Sequence, residues 1–250
     1  MPGWLEAGWW GLVAGGALVV GAAIAWTVRV PPRIVATVMA FGAGVLISAL
    51  AFDLVDEAER SGGLPATALG FVSGATAYVL ANAVLSRYGA RHRKRSHGRQ
   101  PTEEQSGGSG TAIAVGALLD GVPESVVLGI TLIGGQGVGL PMLAAVFISN
   151  LPEGLSSAAG MKQAGRSARY VFGVWIGIAV ISGVSATLGY VLLAGASPFV
   201  VAVITAVAAG AILAMIADTM VPEAFDEAHL FTGLITAIGF LTAFAIERMG

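Results

Sequence analysis

Eight stretches of this chain are apolar over the length a helix needs to cross the hydrocarbon core of a bilayer, about 20 residues. They run roughly Leu5–Val28, Ile34–Ala58, Ala66–Ser86, Thr111–Gly134, Leu140–Met161, Tyr170–Ala194, Phe199–Val221 and Leu230–Ile246. In lipid every backbone amide and carbonyl must be satisfied within the protein, so such segments fold as helices. Composition agrees. Hydrophobic residues make up 56% and charged residues 11% of the chain, where a soluble domain carries roughly 25% charged. The expected fold class is all-α: a polytopic membrane protein, with residues 1–250 forming one transmembrane domain. Without cysteines there is no disulfide framework and no thiolate metal site. The first thirty residues lack the basic start and cleavage site of a signal peptide, so the first segment is read as a retained helix.

Most connections are short, with Pro31-Pro32, Gly62-Gly63, Gly134-Gly135 and Ser197-Pro198 as breakers. The uncharged Gly-rich turn between the fourth and fifth segments predicts an antiparallel hairpin. Residues 87–110 are the exception. They open with Arg91-His92-Arg93-Lys94-Arg95 and turn polar and Gly/Ser-rich. Too polar to pack, they are expected to form a flexible basic cytoplasmic loop. It would anchor on an anionic leaflet, with His92 and His97 able to hold metal transiently. Of the 13 Lys and Arg, only Arg60 and Arg248 lie on the side of the termini. The excess marks the other side as cytoplasmic, so both termini are expected outside a cytoplasmic membrane.

Ala43–Ala58 aligns without gaps on Ala209–Ala224, sharing the Ala-Gly start and the Val-x-Glu-Ala end. Helix two runs outward and helix seven inward, so the repeat is expected to be inverted. Helices 1–3 then mirror helices 6–8 around a 4–5 hairpin, a transporter plan with its site near the midplane. The repeat also gives each mouth an acidic cluster: Asp56, Glu57 and Glu59 outside, and Glu223, Asp226 and Glu227 inside.

Two Pro-Glu units stand in apolar surroundings: Asp120-Gly-Val-Pro123-Glu124-Ser125 and Ser149-Asn150-Leu-Pro152-Glu153-Gly154. A charge at mid-bilayer costs at least ~2.5 kcal/mol, so such groups mark ion or proton pathways. Helical spacing puts Asp120 and Glu124 on one face, and Ser149, Asn150 and Glu153 on one face of the next helix. Each proline frees a carbonyl one turn back. The oxygens of Asp120, Glu124, Asn150, Glu153 and Ser149 are the expected ligands of a hard-oxygen site for a divalent cation. Asp218 is a further candidate ligand. Asp53, Glu57, Glu223 and Glu227 are candidate pathway groups, with His229 at the inner mouth. No Lys, Arg or His sits at mid-depth, which counts against anionic substrates and against a lipid phosphatase. Nothing in the chain suggests an enzyme, a nucleotide loop or a nucleic-acid partner. Gly70-x-x-x-Gly74 and Gly173-x-x-x-Gly177 are expected to allow close helix contact within the chain; a homodimer is left open. Trp4, Trp9 and Trp10 read as interfacial anchors, and Met215 and Met220 as core.

These paired Pro-Glu motifs, the basic loop before them, the eight spans and the outside termini resemble the ZIP family of divalent metal transporters, the bacterial branches above all. The resemblance implies transport of zinc first, and otherwise manganese or iron, as cargo rather than cofactor. It also implies a binuclear site between helices four and five. Asp120 stands where the family's helix-four motif has histidine, and Gly121 where it has a second ligand. One metal position is then kept with oxygen ligands, and the other is weakened. The alternatives are a proton-coupled transporter of another small cation and a metal-binding relative that does not transport.

Overall fold

The computed structural model describes residues 1–88, 109–133 and 138–249, and every regular element among them is helical. The α-helices are α1 (Gly3–Thr27), α2 (Pro32–Ala49), α3 (Asp56–Arg87), α4 (Ser109–Thr131), α5 (Leu140–Gln163), α6 (Ala168–Leu193), α7 (Pro198–Met215), α8 (Val221–Ala228) and α9 (Thr232–Met249). Prolines at the first turn start α2, α5, α7 and α8, where their missing amide is no loss. Ser167 and Ser197 cap α6 and α7 by accepting from the amides of Tyr170 and Val200. Most of the basic stretch 87–110, His92 and His97 included, lies outside the described residues, as does the Gly134-Gly135 turn.

Five helical stretches are long and apolar enough to cross a membrane. Two of them, Pro32–Arg87 and Pro198–Arg248, run to 56 and 51 residues. At 1.5 Å per residue each would be roughly 80 Å long, far beyond a hydrocarbon core of about 30 Å. Both are interrupted twice. A π-helical segment, Leu50–Val55, joins α2 to α3, and another, Ile216–Met220, joins α7 to α8. Beyond these, the helical path breaks at Gly63 (φ 77°, ψ 162°) and at His229 (φ 49°, ψ −122°). Only glycine adopts the first conformation freely. Helix α5 is not among the five stretches; Ser149, Asn150, Glu153, Ser156 and Ser157 interrupt its apolar run.

Helix α1 packs on α5 and α6, α2 on α5 and α9, α3 on α7, and α4 on α6. Reciprocal glycines set the closest crossings. A Cβ on Gly44 would strike the Thr236 carbonyl and one on Gly239 the Phe41 carbonyl; Gly210 and Gly74 meet Phe71 and Val207 in the same way. Gly21 and Gly154 seat α1 on α5, and Gly129 and Gly189 seat α4 on α6. These crossings correct the expected hairpin: α4 and α5 touch only over a short stretch, because each is drawn onto a different partner. Gly70 and Gly74 seat α3 on α7 as expected, whereas Gly173 and Gly177 face open space and hold no helix against α6. Met215 and Met220 are core residues.

Candidate cation site

Three carboxylates are buried among the described residues, Asp120, Glu124 and Glu153, at 2%, 2% and 6% exposure, and no Lys, Arg or His is buried with them. Ser149 and Asn150 are buried too. Helices α4 and α5 run through Pro123 and Pro152 and carry all five residues.

Helix crossings fix their relative depth. On α5, the Asn150 amide donates to the Ala14 carbonyl of α1 at 3.0 Å. Next to Ala14, Gly15 lies against Ser182 of α6, and Ser182 also faces Gly121 of α4. Asp120 and Asn150 therefore occupy one layer of the bundle. Gly42 of α2 brings that helix to the same layer by resting on the Ser149 backbone. Glu124 stands one turn beyond Asp120, and Glu153 three residues beyond Asn150, in opposite directions along the bundle. Helical side chains lean toward their helix N-terminus, so both carboxylates reach back toward the layer.

Sequence reasoning missed two contributors. Tyr78 of α3 is buried, and its hydroxyl donates to Asp120 Oδ1 at 2.7 Å. Forty-two residues separate the pair, and nothing in the local sequence of either signals the other. Ser182 is a buried hydroxyl of α6, one turn before a second, Ser185. The hydroxyl of Ser48 is buried with no hydrogen-bond partner among the described residues, as is Asp53 Oδ2. Buried polar atoms are normally satisfied, so a water or an ion is the natural partner here. Among the described residues no three His, Asp or Glu side chains gather closely enough to hold a metal ion by themselves. Asn150, Ser149, Ser182 and Tyr78 are neutral members of the layer.

The expected pathway groups fall on both sides. Asp53 and Glu57 line a cavity of about 450 Å³ with Asp56, Arg60, Glu247 and Arg248. Glu247, at the far end of the chain, was not foreseen as part of this mouth. Arg60 is paired with Asp56 at 2.7 Å, and Ser61 donates to Glu57 at 2.8 Å. Glu59 is exposed and does not line the cavity. On the other side, Ser156, one turn from Glu153, donates to Glu223 at 3.5 Å. Glu227 and His229 line a second cavity with Arg33. Asp218 is exposed on the π-helical segment after α7 and does not join the buried carboxylates; its neighbours Ile216 and Met220 take the buried face instead. No protein-family model matches the chain, and no curated protein does.

Proposed function

We propose that this protein is a ZIP-like transporter of eight spans that carries a divalent transition-metal cation across the cytoplasmic membrane, both termini outside. One observation carries the reading: the buried carboxylates among the described residues, Asp120, Glu124 and Glu153, all stand on the two proline-bearing helices α4 and α5, and no Lys, Arg or His among the described residues is buried with them. Taking a carboxylate out of water costs several kcal/mol, which a bound cation offsets. Cations enter at the mouth of Asp53, Glu57 and Glu247, exchange water for the oxygens of Asp120, Glu124, Ser149, Asn150 and Glu153, and leave past Glu223 and Glu227. Zinc is the first candidate cargo, manganese and iron the next. Oxygen ligands bind all three, with raw affinity rising toward zinc.

The count of eight follows from dividing the two long stretches at Gly63 and His229 and adding α5. The inverted repeat is supported by spacing. Gly44 and Gly210, the π-helical starts Leu50 and Ile216, and the breaks Gly63 and His229 are each 166 residues apart. Exchanging the two halves also exchanges the crossings α1–α5 with α6–α4 and α2–α9 with α7–α3. Gly3 lies by Tyr190 and Gly15 by Ala179, so α1 and α6 run antiparallel, as related members of an inverted repeat do.

Radioisotope uptake into proteoliposomes tests the proposal. Glu124→Ala and Glu153→Ala are each expected to lower zinc uptake at least about tenfold, as loss of groups around a metal does. Unchanged uptake in both variants sinks it. Uptake that no divalent metal competes with would favour proton-coupled movement of another small cation.

A further inference from the structure

We infer that the end of the bundle where α1 gives way to α2 holds the headgroup of an anionic phospholipid. A cavity of about 690 Å³ opens there between α1, the Val28–Pro31 connection and α5. Its charged lining residues are Arg29 and Lys162, and no carboxylate lines it. Neither cation forms an ion pair among the described residues. Lys162 is held in place: Nζ donates to the Trp26 carbonyl at 2.7 Å and lies 5.1 Å from the centre of the Trp26 ring. Pro31 and Pro32 stiffen the opposite rim by fixing their φ angles. Buried Ala25, Val35 and Leu155 line the same cavity beside the two cations, as does Gln163.

Two cations and buried apolar side chains lining one cavity complement a phosphodiester and the acyl chain next to it. Free phosphate would leave the apolar lining residues unused. Trp26 places the cavity at headgroup depth, since tryptophan concentrates at membrane interfaces. Basic pockets between membrane helices bind anionic headgroups, each nearby cation contributing roughly a fivefold gain in affinity. The site stands apart from the buried carboxylates and does not depend on cation transport.

The test titrates the full chain, in neutral detergent, with short-chain phosphatidylglycerol and phosphatidylcholine, reading bound lipid by native mass spectrometry. Phosphatidylglycerol is expected to bind more tightly. Arg29→Gln with Lys162→Gln should weaken it about 30-fold, the product of two such contributions, and leave phosphatidylcholine unchanged. Arg29→Lys with Lys162→Arg, which keeps both charges, should retain binding. Equal affinity for the two lipids, or a preference that survives loss of both charges, overturns the inference. Displacement of phosphatidylglycerol by inorganic phosphate at similar concentration also overturns it, reassigning the site to a free anion. If the double variant does not fold, Arg29→Gln alone, at an exposed position, should still cost about fivefold.

Discussion

Asp120 has unusual surroundings for an acid. It is an acid buried in an apolar run, yet Tyr78 reaches it from another helix at 2.7 Å. A hydrogen bond to a charged group contributes about 1.5–3 kcal/mol. Tyr78→Phe and Asp120→Ala are therefore expected to be coupled by that amount in a double-mutant cycle of thermal stability. Coupling below about 0.5 kcal/mol would mean that the contact does not hold the carboxylate. Asp120 also decides the cargo under the proposed function. Imidazole suits zinc, whereas oxygen donors suit manganese more readily. Asp120→His should thus raise the ratio of zinc to manganese in competition uptake. A ratio that does not move would show that Asp120 is not a selectivity ligand. The sequence alone disclosed the carboxylates, because charge in an apolar run is conspicuous. It could not disclose Tyr78, an amphipathic side chain that reads equally well as core or interface.

Two helix breaks shape the elements, and they carry opposite signs of strain. Gly63 sits at φ 77° and ψ 162°, where only glycine is at ease. His229 sits at φ 49°, where a side chain is strained. Gly63→Ala is therefore expected to lower stability by about 1–3 kcal/mol. His229→Gly is expected to be neutral or to raise stability by up to about 1 kcal/mol. Thermal denaturation in detergent checks both, and a stable Gly63→Ala would show that the break tolerates a side chain. The Gly62-Gly63 breaker was legible because glycine pairs interrupt helices. The π-helical segments were not, since neither Leu50–Val55 nor Ile216–Met220 contains a glycine or proline to mark the extra residue. The separation of α4 from α5 was equally hidden. It depends on which glycines find a partner across the bundle: Gly129 and Gly154 do, and Gly173 and Gly177 do not. One-dimensional spacing does not distinguish them.

At the scale of the whole molecule, cations concentrate at one end, which also holds Glu227 beside Arg33, while Arg60 and Arg248 stand among the acids of the other. Arg29, Arg33, Lys162, Arg166 and Arg169 lie at the end where α1 and α5 finish and α2 and α6 begin. The opposite end, where α2 passes into α3 and α9 finishes, carries Asp53, Asp56, Glu57, Glu59 and Glu247. The proposed orientation follows the positive-inside rule and makes the basic end cytoplasmic, which would also put the Arg29–Lys162 cavity in the leaflet that is rich in anionic lipid. The chain contains no cysteine, so single cysteines report its topology without background. Glu59→Cys, in the first turn of α3, and Ser197→Cys, in the α6–α7 turn, lie at the acidic end, and Arg29→Cys and Gly165→Cys lie in turns at the basic end. In intact cells a membrane-impermeant maleimide is expected to label the first two and spare the second two until the membrane is opened. Labelling of the second pair alone would invert the orientation and overturn uptake through the acidic mouth as its entrance. Labelling of Glu59→Cys without Ser197→Cys would put an odd number of crossings between the two positions, and the eight-span reading would fail with it.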